Sequence, residues 1–420
     1  MRVPQLIDSI TEHVRTPTPL MEPRFRRLWL GSTLIAVSTW IERIAIGWLV
    51  LEITNSILLA TLAYAVRNMP SMLLGPIGGA LVDSFPRHRV IALSATVRAC
   101  TNLCIGLVAL GAAPATWLIL LLAAIGGTTR TTEMPATYAM ISDIFGMRGT
   151  PRAIGIHGFG VRAIGLAGSL GGGLTIEKSG SATAFFLGAG FLLAGAFAIL
   201  TIPSTRPATR PRNHVNHIWR ETLAGVQVML SSRFVVAILL ITLLTEMFAF
   251  SYNALLPAVA HQALNSGAAA LGVMTFTAGI GALAGMVIMV IGGPRLTSIN
   301  ILIAVVACFG SLLIGLGLVT SMERALPIIA GIGVVASLFD AITLALVQQH
   351  VPHNMRGRAL GGWVWAIGFG WIGAITLGLV SEFFGVATAL NVGGAVVLSV
   401  ALIAIVGLPK ITQSKITRGK

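Results

Sequence analysis

Long apolar stretches recur along the whole chain and constrain its fold more than any other feature of the sequence. We place twelve of them at 28–51, 57–82, 90–110, 115–139, 153–176, 182–202, 233–259, 267–291, 298–319, 326–349, 358–381 and 386–408. A helix of about 20 apolar residues crosses a hydrocarbon core roughly 30 Å thick. Only 10% of the residues are charged, against roughly 25% in soluble domains. The sequence therefore predicts an all-α membrane protein with twelve transmembrane helices.

The distribution of basic residues predicts the orientation of these helices. The formal net charge is +14, which in a soluble protein would suggest nucleic acid, but here the cations gather in loops. Of the 28 Lys and Arg residues, 21 fall on the side of both termini, two on the other side (Lys178 and Arg324) and five within the helices. Cytoplasmic loops carry such an excess. We expect a multi-pass protein of the bacterial inner membrane with both termini cytoplasmic, a lipid bilayer around it and no nucleic-acid partner.

A basic, proline-bearing segment divides the chain near its midpoint. The division gives a cytoplasmic tail at 1–23, a six-helix bundle at 24–202, a cytoplasmic linker at 203–232, a second six-helix bundle at 233–408 and a cytoplasmic tail at 409–420. The two halves share local sequence, because Asn55-Ser56 recurs as Asn265-Ser266 at an offset of 210 residues. An internal repeat of six plus six helices is an architecture of secondary transporters.

The loop between the second and third helices resembles a motif of the major facilitator superfamily. That motif reads Gly-x-x-x-Asp-[Arg/Lys]-x-Gly-x-[Arg/Lys]-[Arg/Lys], and here Gly79, Asp83 and Arg89 match it. Ser84 replaces the first basic residue and Pro86 replaces the second glycine. Within the superfamily the chain looks most like the drug-antiporter and enterobactin-exporter branch. The resemblance implies two six-helix bundles that expose a central cavity to each side of the membrane in turn.

The same resemblance implies a gating role for this loop, which we assign to Gly79, Asp83, Arg87 and Arg89. Gly79 allows close approach of a neighbouring helix. The Asp83 carboxylate is suited to accept hydrogen bonds from a helix N-terminus or an arginine and so to latch the cytoplasmic side shut. The alternative is that Arg87 and Arg89 only anchor the topology.

Four acidic residues lie at mid-depth in the apolar stretches, where an ionised group costs about 2.5–3.5 kcal/mol on insertion scales. They are Glu42, Glu133, Glu246 and Asp340. In the resembled fold their helices, the first, fourth, seventh and tenth, line the central cavity. We predict that they couple transport to protons, and we favour Asp340 and Glu246, because neither has a cation in its own helix. The alternative for each is a structural carboxylate bonded across helices.

Five arginines also lie within the apolar stretches, all in the N-terminal half. We predict substrate contacts for Arg67, Arg130 and Arg162, with ion pairs inside the bundle as the alternative. Arg98 is expected to be structural, and Arg130 lies three residues before Glu133, a spacing that permits a pair on one helix face. This excess of cations favours an anionic or chelating substrate over a cationic one.

Two tryptophans, Trp363 and Trp365, complete the predicted substrate site, because indole rings stack on planar ligands; packing against lipid is the alternative. The chain has no Gly-x-x-x-x-Gly-Lys-[Ser/Thr] loop for ATP, so we expect no ATP-driven pumping and take the proton gradient as energy source. Its histidine pairs lack acids at metal-site spacing, and no nucleophile with a base is placed at a membrane face, so we expect no cofactor, no metal and no enzymatic activity. We expect a monomeric, proton-coupled exporter of a small amphiphilic or anionic compound, such as a drug, siderophore or metabolite. The alternative is proton-coupled uptake of an organic anion or siderophore complex. A membrane-embedded enzyme and a non-transporting scaffold are remote alternatives.

Overall fold

The fold is helical throughout the residues that the computed structural model describes, which are 19–203, 232–351 and 356–417. Within them, the side chains of residues 71, 73–84, 147–148, 356–360 and 408–417 are outside the description. Nine helical stretches of the described residues are long and apolar enough to cross a membrane. The expectation of an all-α, multi-pass membrane protein is confirmed at this level.

The helices, numbered in chain order, begin with α1 (Pro23–Thr54), α2 (Ile57–Ser84) and α3 (Arg87–Ala109). The helical stretch Thr116–Leu200 turns sharply at Gly146 and Gly180, where φ is 63° and 82°. We divide it there into α4 (116–145), α5 (147–179) and α6 (181–200). The remaining helices are α7 (Arg233–Ala263), α8 (Ala268–Gly292), α9 (Ile299–Gly317), α10 (Met322–Gln349), α11 (Arg356–Ile367 and Gly370–Phe384) and α12 (Val386–Thr417).

Several helices extend beyond the apolar stretches that predicted them. Helix α4 continues to residue 145, past the expected end at 139, and α12 continues to Thr417, so that residues 409–417 of the predicted tail are helical. Hydropathy marks only the part of a helix that lies in hydrocarbon, whereas backbone hydrogen bonds carry the helix onward. The expected linker at 203–232 and tail at 1–23 lie almost entirely outside the described residues.

The turns that end the helices repeat between the two halves. Asn55 and Asn265 both adopt left-handed backbone conformations, with φ of 54° and 45°. Gly180 and Gly385 also have positive φ, 82° and 85°. Positive φ is routine only for glycine and, less often, asparagine. In other residues the β-carbon comes too close to the following carbonyl oxygen, whereas glycine has no β-carbon and the short polar side chain of asparagine offsets the cost by local hydrogen bonds. The residue types at these four turns therefore follow from the backbone.

Small residues allow the helices of the two halves to touch. A β-carbon added to Gly173 on α5 would lie 2.6 Å from the carbonyl oxygen of Ala268 on α8. Helices α1 and α7 also cross closely: a β-carbon on Gly47 would lie 3.0 Å from Pro257 Cγ. Beside this crossing, Arg43 Nη2 donates to Asn253 Oδ1 at 2.6 Å. Close backbone contact of this kind is how membrane helices associate without a hydrophobic driving force.

Candidate functional site

A network of buried ion pairs joins the first four helices. Glu42 on α1 is 4% exposed, and its carboxylate accepts from Arg67 Nε on α2 at 3.0 Å and from Arg98 Nη2 on α3 at 2.9 Å. Arg98 Nη1 also donates to Glu133 Oε2 on α4 at 3.0 Å. Because burying a charge is costly unless it is paired and hydrogen-bonded, these contacts fix the relative positions of the four helices.

Thr39 on α1 completes this network. Its hydroxyl oxygen accepts from Arg98 Nη2 at 2.8 Å, and its carbonyl oxygen accepts from Arg67 Nη2 at 3.3 Å. Sequence reasoning missed Thr39, although it lies three residues before Glu42 and so shares a helix face with it. The network makes Arg98 a structural residue, as expected. It also shows Arg67 in the ion-pair arrangement, so its contact with substrate stays a prediction.

Arg130 on α4 lies beside the network without joining it. Its side chain is half-buried and within electrostatic reach of Glu42 and Glu133. Among the described residues it forms no ion pair, and the pair with Glu133 that the helical spacing suggested is absent. Glu133 pairs with Arg98 instead, because Arg98 enters from α3 between the two acids. Arg130 therefore forms no ion pair among the described residues, and its contact with substrate stays a prediction.

The acids of the C-terminal half have a different environment. Glu246 on α7 is 6% exposed, and Asp340 on α10 is its electrostatic neighbour. None of the ion pairs between described side chains includes either acid. Asp340 Oδ1 is buried without a hydrogen-bond partner. These two carboxyl groups are thus electrostatic neighbours with no cation bonded to them among the described residues, and their part in proton coupling stays a prediction.

Glu246 begins a π-helical turn, Glu246–Phe250, within α7. Such a turn inserts one residue into the helix and often marks a functional site. On the facing side of α11, a β-carbon added to Gly370 would lie 3.8 Å from Glu246 Oε2. The carboxylate therefore lies where α11 is interrupted, between Ile367 and Gly370.

Two further arginines lie between the halves without a carboxylate partner. Arg162 on α5 is exposed, its Nη1 contacts Met286 Sδ at 3.2 Å, and it is within electrostatic reach of Asp340. Arg43 on α1 lies with its guanidinium carbon 5.2 Å from the centre of the Trp40 ring and donates to Asn253. With Arg130, these cations leave the interior positively charged.

The two predicted tryptophans occupy different environments. Trp363 Nε1 donates to Thr343 Oγ1 on α10 at 3.1 Å. Trp365 is 55% exposed, and its ring lies edge-on to Phe369 with centroids 4.6 Å apart. Trp363 therefore faces α10 at Thr343, which lies three residues after Asp340, whereas Trp365 is exposed and has Phe369 as its ring neighbour. Their contacts with substrate stay predictions.

The predicted gating loop is described only in part. The surroundings of Gly79 and the side chain of Asp83 are outside what the structure describes. Arg87 forms an ion pair with Asp143 at the end of α4 and donates to the Ala139 carbonyl oxygen at 2.8 Å. Arg89 is exposed. Sequence reasoning missed Asp143 as a partner of Arg87; the signal was an acid in the next loop on the same side.

A multi-pass helical bundle with ion pairs in its interior, and with two halves that meet along glycine-lined helices, has the features of a membrane transporter of the major facilitator type. The chain belongs to the transmembrane secretion effector family of that superfamily, whose model matches residues 15–418. The predicted resemblance is thereby confirmed, and the chain is a transporter rather than an enzyme.

Relatives of this chain include siderophore transporters. It is 19% identical over 382 residues to the staphyloferrin A transporter of Staphylococcus aureus (strain NCTC 8325 / PS 47), covering 89% of this chain and 93% of the relative. It is 26% identical over 343 residues to the enterobactin exporter of Shigella boydii serotype 4 (strain Sb227), covering 81% of each. The crystal structure of the nucleoside transporter NupG has the same fold, with a TM-score of 0.77, 13% identity, and coverage of 91% of this chain and 98% of that one.

Proposed function

We propose that this chain is a secondary transporter that works by alternating access between two six-helix bundles, 24–202 and 233–408. Twelve transmembrane helices, the cytoplasmic linker 203–232 and cytoplasmic termini in a bacterial inner membrane complete the proposal. Two contacts between α1 and α7 support a repeat, because Arg43 meets Asn253 and Gly47 meets Pro257. Both pairs are separated by 210 residues, the offset of the repeat. Equivalent residues touch each other only near an axis that relates the two halves.

The coupling ion in this proposal is the proton, and Glu246 and Asp340 carry it. The observation that supports this choice is that buried Glu246 lies next to half-buried Asp340, whose Oδ1 has no hydrogen-bond partner, and that neither has a bonded cation among the described residues. Glu42 and Glu133 accept hydrogen bonds from arginines at 2.9–3.0 Å, whereas Glu246 and Asp340 have no bonded cation among the described residues. A carboxyl group that carries a proton has to be free of such permanent ion pairs, so we assign Glu42 and Glu133 a secondary part in coupling.

The substrate in this proposal is a small anionic compound, and a siderophore is the favoured class. Arg130 and Arg162 supply the first contacts, because neither has a carboxylate partner among the described residues. Arg67 joins them if its pair with Glu42 opens, and Trp363 and Trp365 provide apolar surface. The two siderophore-transporting relatives support this class. The exporter among them, together with the family's description as secretion effectors, favours export.

Proteoliposomes with a trapped pH indicator would test coupling and direction together. Adding an iron-free siderophore to vesicles that hold a proton gradient should change the internal pH if the protein exchanges the two species. Asp340→Asn and Glu246→Gln should abolish this proton movement, whereas Glu323→Gln, which changes an exposed acid at one end of α10, should leave it intact. Proton-coupled transport that persists in both variants would remove the assignment. Movement of protons in the same direction as the siderophore would establish symport, the alternative for uptake.

The orientation has its own test. Single cysteines at Arg324 and Arg89, both exposed, should react with a membrane-impermeant maleimide from opposite sides of the inner membrane. The three native cysteines, Cys100, Cys104 and Cys308, would first be replaced by alanine. Reaction of both positions from one side would overturn the topology and the cavity assignment that depends on it.

A further inference from the structure

Two glutamates that the transport proposal does not use connect the halves at one end of the bundle. Glu177 near the end of α5 accepts through Oε2 from the Ala269 N–H of α8 at 3.0 Å. Glu382 near the end of α11 accepts through Oε2 from the Leu58 N–H of α2 at 3.0 Å. Each carboxylate therefore binds the first turn of a helix that belongs to the other half of the chain.

The first turn of a helix is suited to this contact. Its first four N–H groups have no partner within the helix, and the helix dipole places partial positive charge there. Helix α8 begins after Gly267, which has no side chain to cap it, so Glu177 supplies the missing acceptor. In α2 the Ser56 hydroxyl accepts from the Leu59 N–H at 3.2 Å, and Glu382 takes the neighbouring N–H group.

The two contacts are equivalent in the repeated architecture. Glu177 lies three residues before Gly180, and Glu382 lies three residues before Gly385. Both glycines have positive φ, 82° and 85°, and each turns the chain back at the end of its helix. The same acid, at the same spacing from the same type of turn, meets the start of the equivalent helix in the opposite half.

The same two pairs of helices, α5 with α8 and α2 with α11, also make close contacts further from the end of the bundle. The carbonyl oxygen of Ser169 on α5 would lie 2.7 Å from a β-carbon added to Gly272 on α8. On the equivalent pair, Gly378 of α11 packs directly on the Thr61 side chain of α2. We call the contact of α5 with α8 and the contact of α2 with α11 the two seams, and Glu177 and Glu382 lie at their outermost ends. Lys178 is next to Glu177 in the chain, and the cation distribution places Lys178 on the exterior side.

We propose that Glu177 and Glu382 form a paired outer gate, which holds the two halves together on the exterior side and must release both helix N-termini before the cavity opens there. The inference rests on the proposed alternating access and orientation. Release of one carboxylate loosens one seam, α5 with α8 or α2 with α11. Opening by a rigid rotation of the halves requires both seams to part, so the two glutamates act in the same direction.

Distances between two spin labels would test the gate directly, because the measurement needs neither a substrate nor a proton gradient. Labels at Ala112→Cys and Thr388→Cys, both exposed and in different halves, report separation of the outer ends in a background without native cysteines. Because a charge at a helix terminus contributes about 0.3–1 kcal/mol, Glu177→Ala and Glu382→Ala should each raise the ratio of long to short distances about two- to fivefold. The double variant should give about the product of the two.

A matched control is Glu52→Ala, because Glu52 accepts from Ser181 Oγ at 3.1 Å, a bond at the same end but within one half. It should leave the distances unchanged. A second, independent set of variants removes the hydrogen-bond donor instead of the acceptor. Ala269→Pro and Leu58→Pro delete the N–H group that each glutamate binds, and both positions lie in the first helical turn, where proline is tolerated. Each should reproduce the shift of the corresponding glutamate variant.

Two results would overturn the gate in distinguishable ways. If both distances are populated and no glutamate or proline variant changes their ratio beyond the Glu52→Ala control, the gate is wrong and alternating access stands. If every variant shows one and the same distance, with and without a substrate or proton gradient, the gate and the proposed alternating access fail together.

Discussion

Replacing Arg98 with methionine keeps an unbranched side chain but removes the cation that lies between two acids. Arg98 is 1% exposed, and its guanidinium donates to Glu42, Glu133 and Thr39 at 2.8–3.0 Å. After the substitution, Glu42 keeps its ion pair with Arg67, and Glu133 keeps no ion pair among the described residues, although Arg130 is still within electrostatic reach of it. The variant therefore tests whether the ion-pair network stabilises the packing of the first four helices.

The size of the effect follows from the environment of the two acids. Removing one partner of a buried ion pair costs about 3–5 kcal/mol. Glu133 is 25% exposed at its side chain and Glu42 retains Arg67, so we expect the lower end, about 3 kcal/mol. For a cooperative unit of the size of residues 24–202, about 2–4 °C per kcal/mol gives a fall in melting temperature of about 6–12 °C.

Thermal unfolding in detergent, followed by loss of the monodisperse chromatographic peak at one fixed heating rate, measures this difference. The fixed rate matters because such unfolding is irreversible. Arg162→Met is the matched control, since Arg162 is exposed and has no carboxylate partner among the described residues. Adding Glu133→Gln to Arg98→Met should recover part of the loss by removing an unpaired charge. Equal melting temperatures for Arg98→Met and Arg162→Met would refute the structural role of the network.

Three further predictions follow from the backbone conformation and from the contacts between helices. Gly127→Ala should lower the melting temperature by several degrees, because its β-carbon would overlap the α2 backbone, whereas Gly155→Ala, with open space around it, should be neutral or slightly stabilising. Asn55→Val should cost about 1–2 kcal/mol in the same melting assay, because Asn55 has a φ of 54°, and Asn55→Gly should restore stability. Asn253→Ala should weaken the crossing of α1 and α7 by removing the acceptor of Arg43, and so lower the melting temperature in the same assay by several degrees; an unchanged melting temperature would contradict the contact.

The helical architecture was largely predictable because lipid imposes it. An apolar stretch in hydrocarbon must satisfy its own backbone hydrogen bonds, so it becomes a helix of predictable length. Asn55-Ser56 and its recurrence Asn265-Ser266 show how local sequence specifies a turn, because both asparagines have left-handed backbone conformations. The ends of the helices were less predictable, as α4 and α12 show, because polar residues continue a helix outside the hydrocarbon.

The partners of the charged residues were only partly predictable. The spacing of Arg130 and Glu133 on one helix permits a pair, but Arg98 from α3 is the residue that forms an ion pair with Glu133. The spacing of residues along a helix says nothing about which neighbouring helix contributes a side chain. The same limit hid Glu177 and Glu382, which lie at helix ends and look like ordinary interfacial acids until the opposite half brings an N–H group to each.

The sequence by itself determined that lipid surrounds this chain, where its helices lie and which acids and arginines are placed inside the membrane. Hydrophobicity and charge are properties of each segment, so the free energy of placing a segment in lipid or in water depends on that segment alone. Only the tertiary structure decided that Glu42 is neutralised by Arg67 and Arg98, and that Glu246 and Asp340 lie next to each other without a bonded cation among the described residues. Pairing depends on distances of about 3 Å between helices, and those distances exist only after the helices have packed.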